Sequence, residues 1–204
     1  RTMPRRPHPH RRLRPPRLLH LRRPVAETYQ RFTGSERSQA HIARAFAEAW
    51  RDNPHRMVGD ARPFWRHLVV QATGVVDEDR FEALYAFYET AEAWDVLEGA
   101  AAWLTDPPVP VVLCSNWDTR LRRTLDAVGL PPLPTVCSGE EGVEKPAAAL
   151  YRRAAERLGR PVDQLLHVDD DAGNVQGAIL AGAQGLRWGV EACTLQELAA
   201  IVRP

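Results

Sequence analysis

From Pro107-Pro108 onward, short apolar runs rich in β-branched residues alternate with longer helical segments, a rhythm that few architectures accommodate. Residues 109–114 (VPVVLC) read as a strand buried on both faces. A helix is predicted over 118–129, closed by Gly129 and Pro131. Residues 135–138 form the next predicted strand. The loop GEEGVEKP then leads into a helix over 146–158, with Pro146 at its start. Strands over 165–168 and 185–188 alternate with helices over 173–182 and 194–203. Such alternation means βαβ units and a parallel sheet, the core of an α/β, Rossmann-like fold.

Ligands of such sheets bind at the carboxyl ends of the strands. Three of those ends carry chemistry here: Ser115-Asn116, the loop bearing Lys145, and Asp169-Asp170-Asp171. Ser115 and the amides around Asn116 are candidate donors to phosphoryl oxygens, and Lys145 a candidate to neutralise their charge. Lys145 is the one lysine among 27 basic residues, so the position is a candidate for needing a point-charge ammonium rather than a planar guanidinium. Asp170 and Asp171 are candidates to hold Mg²⁺ through oxygen, since three adjacent carboxylates repel one another and favour a cation. Each feature also has a purely structural reading: Ser-Asn after a strand as a helix cap, the triple Asp as the cap of the following helix. Gly173 and Gly177 read as packing spacers, because the dinucleotide pattern G-x-G-x-x-G is absent, and His167 reads as a core histidine.

Upstream, amphipathic segments at 36–51, 63–73 and 77–93, together with the stretch from Val25, predict three or four helices and no convincing strand. Three units follow: an Arg/Pro-rich, disordered tail over 1–24, a helical unit over 25–100, and the α/β core over 101–204. The tail holds six prolines, which excludes a helix or central strand from its first sixteen positions.

Nine arginines and no acid fall within residues 1–26, so residues 27–204 carry a net charge of −8. An acidic body offers no phosphate-tracking surface, and specific nucleic-acid binding is not expected. No apolar run reaches the ~18–20 residues that span a bilayer, so no membrane partner is expected. The three cysteines, 114, 137 and 193, form no C-x-x-C pair. An intracellular protein of cytoplasm or nucleus is expected, or of an organelle if the basic tail serves as a presequence.

Taken together, LCSNWDTRLRRTL, GEEGVEKPAAALYRRA and HVDDDAGNVQGAILAG resemble, in order and spacing, the second, third and fourth motifs of the haloacid dehalogenase-like hydrolase superfamily. Within it, LLHLRRPVAETYQRF is similar to the segment that follows the first motif in the group of haloacid dehalogenase-like hydrolase domain-containing protein 3. The resemblance implies a cap formed by residues 25–100 and Mg²⁺-dependent phosphatase chemistry through a phospho-aspartate, acting on a small phosphorylated metabolite. Ser115 would bind the phosphoryl group, Lys145 would steady nucleophile and phosphate, and Asp170 would serve the Mg²⁺.

The sequence departs from that pattern where the nucleophile belongs. The first motif would fall just before Leu18, a place that reads HRRLRPPR, and no Asp precedes Asp52. Asp169 stands where Gly is usual, and Val175 where a second Asp often assists the metal. The family's central first strand is therefore missing or degenerate, with residues 18–21 as a remnant at most. Two readings result: a truncated or misread product of a phosphatase gene, or a pseudoenzyme that binds phosphate or protein. Both expect this chain to be inactive.

Overall fold

The amphipathic pattern beginning at Val25 becomes four helices in the computed structural model, which describes residues 17–53 and 57–202. They are α1 (Val25–Thr33), α2 (Gln39–Asp52), α3 (Arg62–Thr73) and α4 (Glu78–Phe87). Local chemistry sets their ends. The Ser38 hydroxyl accepts from His41 N to open α2, and the Asp77 carboxylate accepts from Arg80 N to open α4. Their apolar stripes meet in one core of Tyr29, Ile42, Leu68, Phe81 and Leu84, and each such side chain contributes about 1.5–3 kcal/mol by leaving water. Most of the expected tail, and the place of the missing first strand, lie at residues 1–16, outside the described residues.

Two elements here differ from the sequence-based expectation. The helix predicted over 77–93 stops at Phe87, and a 3-10 turn (Ala91–Ala93) hands the chain to a strand, β2 (Trp94–Val96). Its partner is β1 (Leu19–Leu21), paired antiparallel with Leu19 opposite Val96. The remnant at 18–21 is thus a strand, but it belongs to a small ribbon rather than to the parallel sheet. Three-residue strands have no readable period, so only the pairing reveals them.

The rest of the chain runs α5 (Ala100–Thr105), β3 (Leu113–Ser115), α6 (Leu121–Ala127), β4 (Thr135–Cys137), α7 (Ser138–Glu141), α8 (Ala148–Leu158), β5 (Leu166–Asp169), α9 (Ala172–Leu180), β6 (Gln184–Arg187) and α10 (Leu195–Val202). This is the predicted alternation with two short helices, α5 and α7, added where none was expected. The pairs β3–β4 and β5–β6 are both parallel, which makes the fold α/β. The described strands nevertheless form three two-stranded sheets instead of one continuous sheet. Strand β3 begins at Leu113, later than predicted, because its pairing with β4 begins only there, with Leu113 opposite Thr135. Leu121, Leu125 and Cys137 form the core beside β3 and β4, against Leu18, Leu19 and Leu113. Leu186, Trp188 and Leu198 pack beside Leu166 and Val168 of β5. Helix α9 can lie against the loop after α7 only because residue 177 is glycine. A Cβ there would fall 2.5 Å from the Pro146 Cβ and 2.6 Å from its carbonyl oxygen. No helix among the described residues is long and apolar enough to cross a membrane.

A buried ion pair joins the helical unit to the α/β unit. Asp118 and Arg120, both buried, follow β3, and Arg120 Nη2 donates to Asp118 Oδ2 at 2.7 Å. Trp65 Nε1 of α3 donates to the same oxygen at 3.0 Å, and Arg120 Nη1 donates to the Tyr85 carbonyl of α4 at 2.8 Å. The guanidinium carbon lies 3.5 Å from the Tyr85 ring centroid. Burial would raise the Asp118 carboxyl, but its bonds from Arg120 outweigh that and hold it below its ordinary value. Arg120→Met strands a buried carboxylate and should cost about 3–5 kcal/mol in urea unfolding. The double variant Asp118→Asn/Arg120→Met should lose clearly less, because no charge is left buried.

Candidate functional site

The loop that carries Lys145 is held at both its backbone groups by one side chain. Asn116, just past β3, accepts from Lys145 N at 2.7 Å and donates to Lys145 O at 2.9 Å. With Pro146 seated on Gly177, that reciprocal clamp aims the lysine across the strand ends. Lys145 Nζ donates to the Cys114 carbonyl of β3 at 3.0 Å and to Asp169 Oδ2 of β5 at 2.6 Å. The two side chains are only 9% and 8% exposed, so this is a buried ion pair. Three of the sequence-predicted residues, Ser115 at the end of β3, Asn116 and Lys145, are therefore brought to one place.

The triple Asp splits into three environments. Asp169 lies with Lys145, and it also accepts from the Asp171 amide at 2.8 Å and from Asn174 Nδ2 at 3.2 Å. Asp170 accepts from Arg17, whose Nε and Nη2 both lie 2.8 Å from its Oδ2. Its backbone carbonyl takes a bond from Arg187 Nε at 2.7 Å. Asp171 caps α9, its Oδ1 accepting from Asn174 N at 3.0 Å. The sequence places Asp169 in the triple Asp and as a departure from a family glycine, but not among the candidate site residues, yet it is the carboxylate paired with Lys145. Its position as the last residue of β5 was the available signal. Arg17 carried none, since it belongs to none of the quoted motifs; Asn174 lies within HVDDDAGNVQGAILAG, but was not singled out there.

Mg²⁺ at Asp170 is what the motif resemblance implies, and Asp171 is a second candidate from the adjacency of the carboxylates. A magnesium ion wants six oxygen donors in a near-ideal octahedron. Here each Asp carboxylate is already matched by an internal donor. Among the described residues no three His, Cys, Asp or Glu side chains gather closely enough to hold a metal ion. Mg²⁺ needs only one or two carboxylates beside its waters. Here, however, Arg17 and Lys145 hold positive charge against Asp170 and Asp169, and in this arrangement the residues do not fit the cation.

Electrostatics divides the site into a charged half and a neutral half. Burial alone would raise the Asp169 carboxyl. The adjacent imidazole of His167 and the Lys145 ammonium outweigh it and hold the carboxyl well below its ordinary range. His167 Nε2 lies 3.3 Å from Asp169 Oδ2, and the ring meets Tyr151 edge-on at 4.9 Å. Burial dominates for His167 and pushes its pKa down, so it stays neutral at pH 7. Burial likewise pushes the Cys114 thiol up to about 11, which makes it a poor nucleophile.

These directions fix the acid response. Below the ordinary histidine value of 6.5, the unfolded chain takes up a proton at residue 167 that the folded chain refuses, so stability falls as pH drops. A second loss follows below the ordinary aspartate value of 3.8, as unfolded Asp169 protonates first. Thermal melts from pH 7 to pH 5 should show this decline, and His167→Gln should flatten it.

Parallel strands whose carboxyl ends gather a clamped lysine, an amide side chain and carboxylates define an α/β protein with its candidate site at the strand ends. The model of the haloacid dehalogenase-like hydrolase family matches residues 17–182. This chain belongs to that family. Its relatives include haloacid dehalogenase-like hydrolase domain-containing protein 3 of Danio rerio, 30% identical over an alignment of 175 residues that covers 75% of this chain and 72% of that protein. The Bos taurus protein of the same name is 32% identical over 133 residues, 55% of this chain and 53% of that one. The Xenopus laevis protein is 28% identical over 123 residues, 54% and 50%. The chain thus spans about half the length of the latter two. Among solved structures, a dehalogenase with an intermediate complex aligns with a TM-score of 0.66 at 16% identity, over 89% of this chain and 92% of that one. The L-2-haloacid dehalogenase of Xanthobacter autotrophicus, with chloropropionic acid covalently bound, aligns at 0.63 and 19%, over 86% and 74%. At such identities the likeness is one of fold.

Proposed function

We propose that this chain binds the phosphoryl group of a small phosphorylated metabolite at the strand ends and does not hydrolyse it. The observation that supports the reading is the placement of Lys145. Its ammonium has three N–H donors, two engaged by Cys114 and Asp169, which leaves one for an oxyanion beside Ser115 and Asn116. The amides following β3 supply further donors of the kind that bind phosphoryl oxygens. Helices α1 to α4, joined to this end through Asp118 and Arg120, would act as the cap that selects the metabolite.

Family membership brings hydrolysis into view, and phosphomonoester hydrolysis of the Mg²⁺-dependent type is the activity the motifs point to. That route needs a carboxylate nucleophile to form a phospho-enzyme. The sequence HRRLRPPR ahead of Leu18 offers none. On our reading Ser115, Asn116 and Lys145 keep a binding role, Asp169 holds the lysine in place, and no covalent step occurs.

Two measurements on residues 1–204 test this. Inorganic phosphate at ten times its Kd should raise folding stability by about 1.4 kcal/mol, and Lys145→Met should abolish the gain. Aryl phosphate with Mg²⁺ should be hydrolysed no faster than background. A clear Mg²⁺-dependent rate that Asp170→Asn removes would replace the binding reading with a catalytic one and demand a different nucleophile.

A further inference from the structure

Three neighbouring carboxylates in one turn repel one another, and an unneutralised set would draw a cation. In this fold each acid has its own internal partner: Lys145 for Asp169, Arg17 for Asp170, and the amino end of α9 for Asp171. Arg17 is the unexpected one, since 153 positions separate it from Asp170. Its placement is built into the fold at both ends. Arg17 N donates to His20 Nε2 at 2.8 Å, and the next residue, Leu18, accepts from Leu97 N at 2.9 Å, so the β1–β2 ribbon carries the guanidinium to the end of β5. On the other side, Arg187 of β6 pins the Asp170 carbonyl.

We propose that Arg17 is the resident cation of this site: its guanidinium takes the Asp170 carboxylate and keeps a divalent metal from it. Two guanidinium nitrogens converge on one oxygen, Oδ2, and the positive charge held beside the carboxylate repels a second cation. The pair is partly open to water, with Arg17 59% and Asp170 22% exposed. It is therefore of modest strength and releasable by a single substitution. The inference stands whether or not the site also takes a phosphate.

Mn²⁺ is the probe, because its free ion is counted directly by electron paramagnetic resonance and needs no turnover. The wild-type chain in millimolar Mn²⁺ should take up no more metal than Asp170→Asn does. Arg17→Ala should gain one site, tighter by about tenfold than anything in the wild type, and adding Asp170→Asn should remove it. Arg17→Lys, which restores the charge, should exclude the metal again. Circular dichroism confirms that each variant is folded; Arg17→Gln is the substitute if the alanine variant is not. Wild-type uptake of one Mn²⁺ that Asp170→Asn loses would overturn the proposal, as would a folded neutral variant that gains no site.

Discussion

The contact on which this structure turns is the buried pair of Lys145 and Asp169. It spans the ends of two strands that belong to different two-stranded sheets, since the same ammonium also holds the Cys114 carbonyl of β3. A buried ion pair gains little net stability over an apolar filling, because desolvation offsets much of the attraction. Its value is geometric. Removing either member leaves a charge in a place where water cannot reach it, so the strand ends are held in one mutual arrangement. Asn116 and the approach of Pro146 to Gly177 then fix the backbone from which the lysine projects.

Charge neutralisation inside the protein is the theme of the surrounding residues as well. Asp118 and Arg120 satisfy one another and reach out to Trp65 and Tyr85, which ties the helical unit to the loop following β3. Asp169, Asp170 and Asp171 are each answered by a donor from a different part of the chain. A site wired in this way has little uncompensated negative charge to offer a metal. Its remaining donors suit an oxyanion, and the Cys114 thiol beside it, its pKa raised by burial, is a poor nucleophile.

Much of this was legible in the sequence. Helices α1 to α4 follow from apolar spacing, and β3 to β6 from short apolar runs between helices. The strand ends identified Ser115, Asn116 and Lys145 because a parallel sheet delivers its chemistry there. The β1–β2 ribbon was not legible, for a strand of three residues gains its identity from its partner. Nor was the division of the parallel strands into separate pairs, which depends on backbone pairing rather than on composition.

The three acids show where the boundary falls. Sequence by itself determined that carboxylates would cluster after β5, that one lysine would face them and that no Asp precedes Leu18. Which acid meets the lysine, which caps α9 and which binds an arginine was decided only by tertiary structure. The physical reason is that an ion pair depends on distance and desolvation, and neither is a function of separation along the chain. Arg17 and Asp170 lie far apart in sequence and 2.8 Å apart in space, and that single contact changes what the cluster is able to bind.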